Sequence, residues 1–458
     1  MKIINFIPPK PDLHPLIPTS MKYFIPLFVF VAVSCTPPKQ QEGTPAPPAA
    51  DSSNPMRFKA DQYLVFMKDS FELPLVIDGK KVNGSRKEAF EINSEERSRK
   101  KQKVKDFAQQ NHQINVPLDS IFVDVGVGFK VKLTDQQHDN LFNDTTNVES
   151  VTHDYIIILG DPIQQGDPIQ QGDPIQQSWN FSDPVNRITC AVSNAGGYED
   201  GSNKKPAIWI LDTGIQYDPN DPSLDHPDLN VEKNPSLARS FIAGVSLPQD
   251  DNGHGTHVAG IAAAKKNGFG CTGVSAGAKV IPLKILDYEG KGSWSGLTFA
   301  LDHVAANNLM NDVVNLSLGG YCINCKTDQD AKALRKLIQA LGNDNTFVVM
   351  SAGNDAGDAA MNLPGCINGK NIFTVAAITC KRECAFYSNF GEPPVDWLAV
   401  GSNVYSTYLG GQYKIMSGTS MAAAVISGVV HARGAAPVPG SIVSCGNPLD
   451  NYKIGKRN

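Results

Sequence analysis

The sequence has little net charge and no amino-terminal apolar run long enough to cross a membrane. Over 458 residues the formal net charge is -5, and 19% of the residues are charged. This balance argues against a nucleic-acid-binding surface and against a polybasic membrane patch. The apolar run at residues 23–33 is shorter than a membrane-spanning helix requires. The length is sufficient for two or three domains.

The common zinc-binding patterns are also missing. Cys322 and Cys325 form one CxxC pair, but no second pair completes a zinc site, so a redox or metal pair is the weaker interpretation. His254 and His257 are spaced as His-x-x-His, without the Glu base of the metalloprotease pattern. This spacing puts both histidines on one helix face, as a metal pair would require, but we interpret His257 as structural.

Cysteine is frequent enough for several disulfides. The nine cysteines lie at positions 35, 190, 271, 322, 325, 366, 380, 384 and 445. Setting aside Cys35 leaves an even number, which suits up to four disulfides in an exported protein. The connectivity is not determined by the spacing, and we predict only that Cys380 pairs with Cys384 or with Cys366.

Residues 1–35 contain a pattern typical of an export signal. Met21 and Lys22 precede the apolar run, Cys35 follows it, and translation is expected to begin at Met21. The small residues before Cys35 suit an ordinary signal peptidase and also resemble a lipobox, after which Cys35 would carry lipid. We favour the lipoprotein, because an unpaired thiol at the first mature position is unusual and a Pro-rich linker follows at 36–55.

Residues 56–159 predict a small α+β domain. Strands are expected at 62–67, 120–125, 129–133 and 155–159, and helices at 94–110 and 134–141. The order βαββαβ is that of ferredoxin-like folds. The basic run inside the first helix is interspersed with acidic residues, so a solvated helix face is favoured over a binding patch or a dibasic cleavage site.

Residues 160–177 are three copies of Gly-Asp-Pro-Ile-Gln-Gln. Six residues are too few for a solenoid unit, and each Asp-Pro favours extended or turn backbone. The repeats are either a linker that tolerates duplication or an exposed processing junction. In the second case the mature chain would start near Ser178.

From residue 207 onward, short apolar strands alternate with helices. Strands are expected at 207–211, 280–285, 313–316, 346–350 and 372–376, and helices at 254–264, 296–307, 330–341 and 419–434. The strands are continuously apolar, which predicts a mainly parallel sheet covered on both faces, a doubly wound α/β fold. Functional residues of such folds lie at the carboxyl ends of the strands.

Three motifs place an acid, a base and a nucleophile in the order Asp, His, Ser. Asp212 follows the first apolar strand, His254 begins a helix of small residues, and Ser420 lies in Gly-Thr-Ser-Met-Ala at the start of a buried helix. The N–H groups of a helix N-terminus favour a developing anion. A single Ser there is more often a cap, but the three motifs together match the order of catalytic residues in a known family.

Over roughly residues 178–434 the chain resembles the subtilisin-like serine peptidases, whose order of catalytic residues it shares. Residues 284–296 and 313–320 look most like the proteinase K-like branch. The resemblance implies that Ser420 is the nucleophile, with His254 as base and Asp212 as the orienting acid. It also implies an oxyanion hole formed by the Asn354 amide and the Ser420 N–H.

The same resemblance implies the organisation of the chain. Residues 178–458 correspond to the catalytic domain, and residues 56–159 to an inhibitory propeptide whose tail lies in the cleft. Substrate would lie as an added strand between 290–296 and 317–320. The substrate-binding residues implied are Gly292, Ser293, Trp294, Ser317, Leu318, Gly319, Ser351, Ala352 and Gly353. No acidic residue occurs in the pocket segments, which favours apolar over Arg or Lys specificity, and Trp294 lines a subsite or belongs to the core.

Two further expectations follow from the family. No cofactor is needed for catalysis, but structural calcium is typical, and Asp396 matches a carboxylate ligand beside the carbonyls of Lys370 and Ile372. Ala424 and Val425 depart from the Pro and His that usually follow the nucleophile. The tail after residue 434 lacks the family's terminal helix, and we expect lower stability as a result.

The sequence therefore predicts an exported, monomeric serine endopeptidase that acts on proteins and peptides and is made as a self-processed zymogen. It would be either a cell-envelope lipoprotein or secreted. One alternative is a catalytically inactive member that serves as an adhesin or inhibitor complex, against which the intact catalytic residues argue. A zymogen that needs an outside activator is a second alternative, and it stays open.

Overall fold

The computed structural model describes residues 58–68, 86–159, 181–322, 325, 329–445 and 450–458. The predicted export signal, the linker 36–55 and the repeats 160–177 lie outside these residues. Every described element belongs to one compact unit, Ser53–Asn458. In these ranges no helix combines the length and the apolarity that crossing a membrane requires.

The amino-terminal part is a four-stranded antiparallel sheet with two helices. Its elements are β1 Phe58–Met67, α1 Arg86–His112, β2 Ile121–Phe122, β3 Gly128–Lys132, α2 Asp135–Phe142 and β4 Val148–Ile158. The strands lie in the order β4-β1-β3-β2, and each neighbouring pair is antiparallel. A capping box between Thr134 and Gln137 begins α2. Val65, Phe107 and Phe129 belong to the core of this part.

The carboxyl-terminal part is built on a ten-stranded sheet. The strands of this part are β5 Glu199–Asp200, β6 Ile208–Asp212, β7 Asn230–Val231, β8 Arg239–Ser240, β9 Ser275–Ala276, β10 Lys279–Lys284, β11 Lys291–Ser293, β12 Val313–Leu316, β13 Gly320–Tyr321, β14 Phe347–Ser351, β15 Asn362–Leu363, β16 Ile372–Ile378, β17 Val395–Val400, β18 Val404–Tyr408, β19 Gln412–Met416, β20 Val438–Cys445 and β21 Asp450–Lys456. The helices are α3 Cys190–Asn194, α4 His254–Ala263, α5 Trp294–Asn307, α6 Gln329–Asn343 and α7 Thr419–Arg433.

Most of the large sheet is parallel, as predicted. Its order is β20-β21-β17-β16-β14-β12-β6-β10-β7, and β8 also pairs with β10. From β17 to β7 every neighbouring pair is parallel. The five strands and four helices predicted after residue 207 are confirmed to within a few residues.

Helices cover both faces of this sheet, which explains its continuously apolar strands. Along β6, Ile208 and Ile210 join a core that contains residues of α4 and α7. Trp209 and Leu211 join a separate core that contains residues of α5 and α6. Successive side chains of a strand point to opposite faces, so every position of a doubly covered strand is buried.

The disulfides correct the predicted pairing of Cys380. The structure forms the pairs Cys190–Cys380, Cys325–Cys366 and Cys384–Cys445. Cys380 and Cys384 follow β16, but the first reaches the start of α3 and the second reaches the end of β20. The partners are 190 and 61 residues away, so local spacing does not indicate them. Cys325 pairs with Cys366, which is inconsistent with the alternative Cys322–Cys325 pair, and Cys271 is a buried thiol.

The tail after α7 adds a β-hairpin to the sheet. Strands β20 and β21 are antiparallel, and β21 joins β17 through the parallel pair Leu398 and Ile454. Tyr452 and Ile454 are buried, and the disulfide to Cys445 closes the hairpin onto the turn after β16. The tail therefore forms a strand pair at the edge of the large sheet. The sequence analysis had predicted only that the tail lacks a terminal helix.

Candidate active site

Strand β6 and helix α4 bring Asp212 and His254 into contact. Asp212 is the last residue of β6, and His254 is the first residue of α4. The Nδ1 atom of His254 lies 2.8 Å from Oδ1 and 2.9 Å from Oδ2 of Asp212, and both side chains are buried. Because an ionised carboxylate only accepts hydrogen bonds, Nδ1 carries the proton and Nε2 is left to accept one.

Two glycines of the His motif permit this approach. Gly253, just before α4, has a φ of 104°, a conformation that favours glycine. A Cβ atom on Gly255 would lie 3.2 Å from the Cβ of Asp212 and would collide with the Gly214 carbonyl oxygen. The small residues around His254 therefore let the first turn of α4 pack directly against the end of β6.

Asp250 holds the loop before His254, and we did not identify it from the sequence. Its Oδ1 accepts from the hydroxyl of Thr213 at 2.8 Å and from the N–H of Gly253 at 2.8 Å. Its Oδ2 accepts from the N–H and the hydroxyl of Thr256 at 2.9 and 2.6 Å. A carboxylate accepts hydrogen bonds from the free N–H groups at the start of a helix. An acidic residue just before the predicted helix was therefore the sequence feature that could have identified Asp250.

The carboxylates around His254 raise its pKa. Burial alone would lower the pKa of the imidazole. The charge and hydrogen bond of Asp212, together with the charge of Asp250, outweigh burial and raise the pKa of His254 above its ordinary 6.5. The imidazole is therefore a stronger base than a free histidine.

We expect hydrolysis to decline as the pH falls through a His254 pKa that lies above 6.5. Only the neutral imidazole accepts a proton from Ser420, so kcat/KM should drop about tenfold per pH unit below that pKa. The measurement is kcat/KM from about pH 5 to pH 9, with circular dichroism at each pH as a control for unfolding. A flat profile over this range in folded protein would contradict the role of His254 as the base.

Helix α7 presents Ser420 in its first turn. The Ser420 hydroxyl donates to the carbonyl oxygen of Ser317 at 3.2 Å, and the Ser317 hydroxyl donates to the carbonyl oxygen of Ser420 at 2.9 Å. The Ser420 hydroxyl is thus directed at the predicted substrate segment 317–319 and not at His254. Proton transfer to Nε2 of His254 requires the hydroxyl to leave this contact, and catalytic hydrogen bonds often tighten only when substrate is bound.

Asn354 lies beside Ser420, and the orientation of its amide is defined by hydrogen bonds. Its Oδ1 accepts from the N–H and the hydroxyl of Thr419, both at 2.9 Å. The Thr419 hydroxyl in turn accepts from the N–H of Gly353 at 3.2 Å. The Nδ2 group of Asn354 is therefore the side left to donate. We did not identify Thr419 as a positioning residue from the sequence, where its place next to Ser420 was the only signal.

The predicted substrate segments enclose residues 156–159 of the same chain. Strand β4 pairs antiparallel with β11, so that Ile157 lies opposite Gly292. On its other side, Ile158 forms an antiparallel bridge with Gly319. The end of β4 is therefore held as a strand between the two segments to which the sequence assigned substrate binding.

An apolar pocket lies under this strand. Trp294 and Leu318 line it together with Ile157. The Trp294 ring meets the edge of Tyr155 at a centroid distance of 5.7 Å and also belongs to the core of the sheet. Trp294 thus lines the pocket and also belongs to the core, the two alternatives that the sequence analysis left open. Behind the pocket, the Ser351 hydroxyl donates to the Leu318 carbonyl oxygen at 3.2 Å, and Ala352 is buried.

The two residues considered as metal ligands contact backbone groups. The Nε2 atom of His257 lies 3.1 and 2.9 Å from the carbonyl oxygens of Val404 and Lys414, and burial lowers its pKa to about 3. Asp396 is exposed and accepts from the N–H of Thr374 at 2.8 Å. In the part of the chain that the structure describes, no group of three or more His, Cys, Asp or Glu side chains is arranged to hold a metal ion.

Comparison with known proteins assigns the family. The model of the subtilase family matches residues 203–432, a range that includes Asp212, His254, Asn354 and Ser420. The chain belongs to the subtilase family. By family it is a subtilisin-like serine peptidase, and the amino-terminal part at 58–159 precedes the matched subtilase region.

Several proteases are similar to this subtilase. Thermitase of Thermoactinomyces vulgaris is 36% identical over 57% of this chain and 81% of its own length. Subtilisin DY of Bacillus licheniformis is 33% identical over 51% of this chain and 77% of its own length. The minor extracellular protease Epr of Bacillus subtilis strain 168 is 34% identical over 48% of this chain, but this region spans only 30% of Epr.

Proposed function

We propose that this subtilase is an endopeptidase that hydrolyses peptide bonds in proteins through Ser420, His254 and Asp212. The contact of 2.8 Å between His254 and Asp212 carries the proposal. This contact orients the His254 imidazole so that its other nitrogen is free to act as a base, and the proposed nucleophile lies in the first turn of α7. Neither a core histidine nor a helix cap requires this combination of residues.

The geometry supports a two-step acyl transfer. The Ser420 oxygen attacks the carbonyl carbon of the peptide bond while His254 takes its proton, and Asp212 stabilises the imidazolium. Asn354 Nδ2 and the Ser420 N–H stabilise the negative oxygen. The C–N bond then breaks as His254 returns the proton to the leaving amine. A water molecule, activated by His254, finally hydrolyses the ester and regenerates the serine.

We propose that residues 56–159 are an inhibitory propeptide. Their βαββαβ topology is ferredoxin-like, and their last strand fills the cleft as a substrate would. Asp154 accepts from the N–H and the hydroxyl of Ser295 at the start of α5, both at 2.8 Å. Asp302 of α5 accepts from the N–H groups of residues 123–125 at 2.5–3.1 Å. Each of the two parts thus places a buried carboxylate on hydrogen-bond donors of the other part. These contacts support a specific complex that blocks substrate entry.

We also propose that the protein is exported, either secreted or anchored through Cys35. Support comes from the sequence of residues 21–35, from the extracellular relative Epr, and from three disulfides, which suit an oxidising compartment. The proteinase K-like affiliation rests on 284–296 and 313–320 alone and stays a prediction, as does the monomeric state.

We also propose a structural calcium ion at Asp396, for which the sequence signal is a single carboxylate. The hydrogen bond to Thr374 places this exposed carboxylate two residues along β16 from Ile372. Oxygen donors suit calcium. The described residues supply one carboxylate here, so the ion would depend on the backbone carbonyls of Lys370 and Ile372. Its role would be structural, because the proposed chemistry requires only protein groups and water.

The test is hydrolysis of casein combined with labelling by a fluorophosphonate, which reacts with activated serines. We expect the processed protein to take up one label on Ser420, located by peptide mass spectrometry, and to lose casein hydrolysis in proportion. The uncut precursor should label more slowly because residues 156–159 occupy its cleft, and a His254→Ala variant should label hardly at all. A processed protein that neither cleaves casein nor takes up label would be the inactive binding protein instead.

A further inference from the structure

Lys284 is a fully buried lysine at the active-site end of the large sheet. It is the last residue of β10 and lies opposite Asp212 in the parallel pairing of β10 with β6. Its side chain has no solvent exposure, although the strand around it is apolar. Lysine is almost never fully buried unless its charge is paired. The carboxyl end of a parallel strand is also where functional side chains of this fold lie, so the partners of this lysine bear on the site.

The ammonium group of Lys284 joins the two loops that carry the proposed acid and base. Its Nζ atom donates to the carbonyl oxygen of Thr213 at 2.6 Å and to Oδ1 of Asp251 at 2.5 Å. Thr213 directly follows Asp212, and Asp251 lies three residues before His254. The buried cation therefore contacts both of the segments whose side chains meet at 2.8 Å.

Thr213 connects this contact to the Asp212 carboxylate. The Thr213 N–H donates to Oδ1 of Asp212 at 2.7 Å, and the same oxygen lies 2.8 Å from Nδ1 of His254. The backbone of Thr213 therefore sets the direction of the carboxylate, while Lys284 holds the carbonyl group of the same residue. A shift of Thr213 would turn the carboxylate away from the imidazole.

The backbone of Lys284 is fixed on both sides, so its ammonium group is held by a rigid strand. The Lys284 carbonyl oxygen accepts from the N–H of Phe241, just after β8, at 2.8 Å. On the side of β6, the N–H groups of Ile285 and Leu286 donate to the Asp212 carbonyl oxygen at 2.9 and 3.2 Å. The end of β10 thus holds Asp212 through its backbone, and it holds the following residue through the lysine side chain.

Packing alone does not explain a lysine at this position. A buried ion pair is often no more stable than apolar side chains of similar volume, because the charges lose their hydration. The partner carboxylate of Asp251 is itself 47% exposed, so water would satisfy it without the lysine. The charge of Lys284 is therefore better explained by the alignment that it imposes on the two loops than by a gain in stability.

We propose that Lys284 is a positioning residue for the proposed hydrolysis. By holding Thr213 and Asp251 it keeps the Asp212 carboxylate aligned with the His254 imidazole, and it acts through these residues and not on the substrate. This proposal rests on the proposed endopeptidase function and adds a residue to its machinery. Misplacement by about 1 Å costs an enzyme on the order of 100-fold in rate, so the loss of this support should be measurable.

Kinetic analysis of Lys284→Met is the first test. Methionine keeps an apolar stem of similar length and removes the charge and the hydrogen-bond donors. Wild type and variants are trimmed with the same added protease, which is then removed, and one cleaved peptide is the substrate. We expect kcat to fall about 10–100-fold while KM changes less than about twofold, because the alignment of acid and base matters in the transition state.

Lys279→Met is the matched control. Lys279 is the first residue of the same strand, at the end away from the site, and its Nζ atom lies 3.1 Å from Oε2 of Glu232. The same substitution there removes an ion pair of a half-exposed lysine. We expect kcat and KM to stay within about twofold of the wild type.

Proton NMR of the same preparations at one fixed pH gives a readout that does not depend on turnover. The proton on Nδ1 of His254 lies in a charge-assisted hydrogen bond to Asp212, which moves its signal far downfield, and His254→Ala identifies the signal. In Lys284→Met we expect this signal to move upfield or to disappear through exchange with water. In Lys279→Met it should stay unchanged.

A folded Lys284→Met variant with the kcat and the Nδ1 signal of the wild type would overturn the positioning role. A lower kcat with an unchanged signal would also overturn it, because the loss would then not arise at the contact of Asp212 with His254. If the wild type cleaves neither casein nor the peptide, the endopeptidase function itself fails. The NMR signal then still decides whether Lys284 aligns the two side chains.

Asp251→Ala keeps the proposal testable if circular dichroism shows that Lys284→Met does not fold. This substitution removes the loop contact from a half-exposed side chain and leaves the lysine in place. We expect a smaller fall in kcat at unchanged KM, together with a displaced Nδ1 signal of His254. Wild-type kcat and an unchanged signal in folded Asp251→Ala would overturn the proposed coupling of the two loops.

Discussion

Replacement of Ser420 by alanine is expected to abolish peptide hydrolysis and to leave the precursor uncut. In the proposed mechanism the Ser420 hydroxyl oxygen forms the bond to the acyl group, and we expect no neighbouring side chain to replace it. We expect kcat to fall by about 10⁶, the magnitude known for loss of the nucleophile in a subtilisin. The fold should persist, because alanine removes only the contact of 3.2 Å to the Ser317 carbonyl oxygen.

The intact mass of the chain expressed from Met56 is the decisive measurement. We expect the wild type to be cut between residues 160 and 179, and Ser420→Ala to keep its full mass. Ser223→Ala is the control for a serine replacement, because the Ser223 side chain is exposed and its hydroxyl donates to Asp221 at 2.6 Å. Cleavage of Ser420→Ala at the wild-type rate would refute self-processing.

If neither protein is cut, an added protease separates the remaining possibilities. A zymogen that depends on an outside activator would gain casein hydrolysis after the wild-type chain is trimmed, and the Ser420→Ala chain would not. An inactive subtilase would gain none in either form.

Replacement of Asn354 by alanine should lower kcat by about 10²–10³ with little change in KM, the loss known for one oxyanion donor in a subtilisin. The amide is proposed to donate to an oxygen that is negative only in the transition state, so substrate binding should hardly change. Measuring kcat and KM separately on one peptide that the processed protein cleaves provides the test.

Asn354→Asp distinguishes the oxyanion role from a structural one. The aspartate keeps an oxygen for the N–H and hydroxyl of Thr419, which Oδ1 accepts at 2.9 Å in this structure. It loses the Nδ2 donor and adds a negative charge where the oxyanion would form. We therefore expect a loss at least as large as in Asn354→Ala. Near-normal activity in Asn354→Asp would mean that Asn354 serves only to hold Thr419.

Much of the carboxyl-terminal fold was predictable because its signals are local. A strand that is covered on both faces is apolar at every position, as residues 208–211 are. This pattern can be recognised in the sequence without knowing the neighbouring strands. The three motifs around Asp212, His254 and Ser420 can also be recognised from local sequence. A helix that must start against a strand end, as α4 does against β6, needs small residues beside its functional side chain.

The features that the sequence did not reveal depend on partners far apart in the chain. The disulfide of Cys380 spans 190 residues, and the hairpin β20–β21 became recognisable only through its pairing with β17. Asp250 and Thr419 act through hydrogen bonds to several backbone and hydroxyl groups. Such hydrogen bonds leave no periodic pattern in the sequence, so the sequence alone does not indicate them.

The sequence by itself determined the doubly wound sheet and the order of Asp212, His254 and Ser420 along the chain, since burial and close backbone approach impose local residue patterns. Only the tertiary structure decided which groups meet. It brought the His254 ring to the Asp212 carboxylate, and it laid Ile157 in the pocket of Trp294. These contacts join residues dozens to hundreds of positions apart, and their geometry depends on how the whole sheet packs.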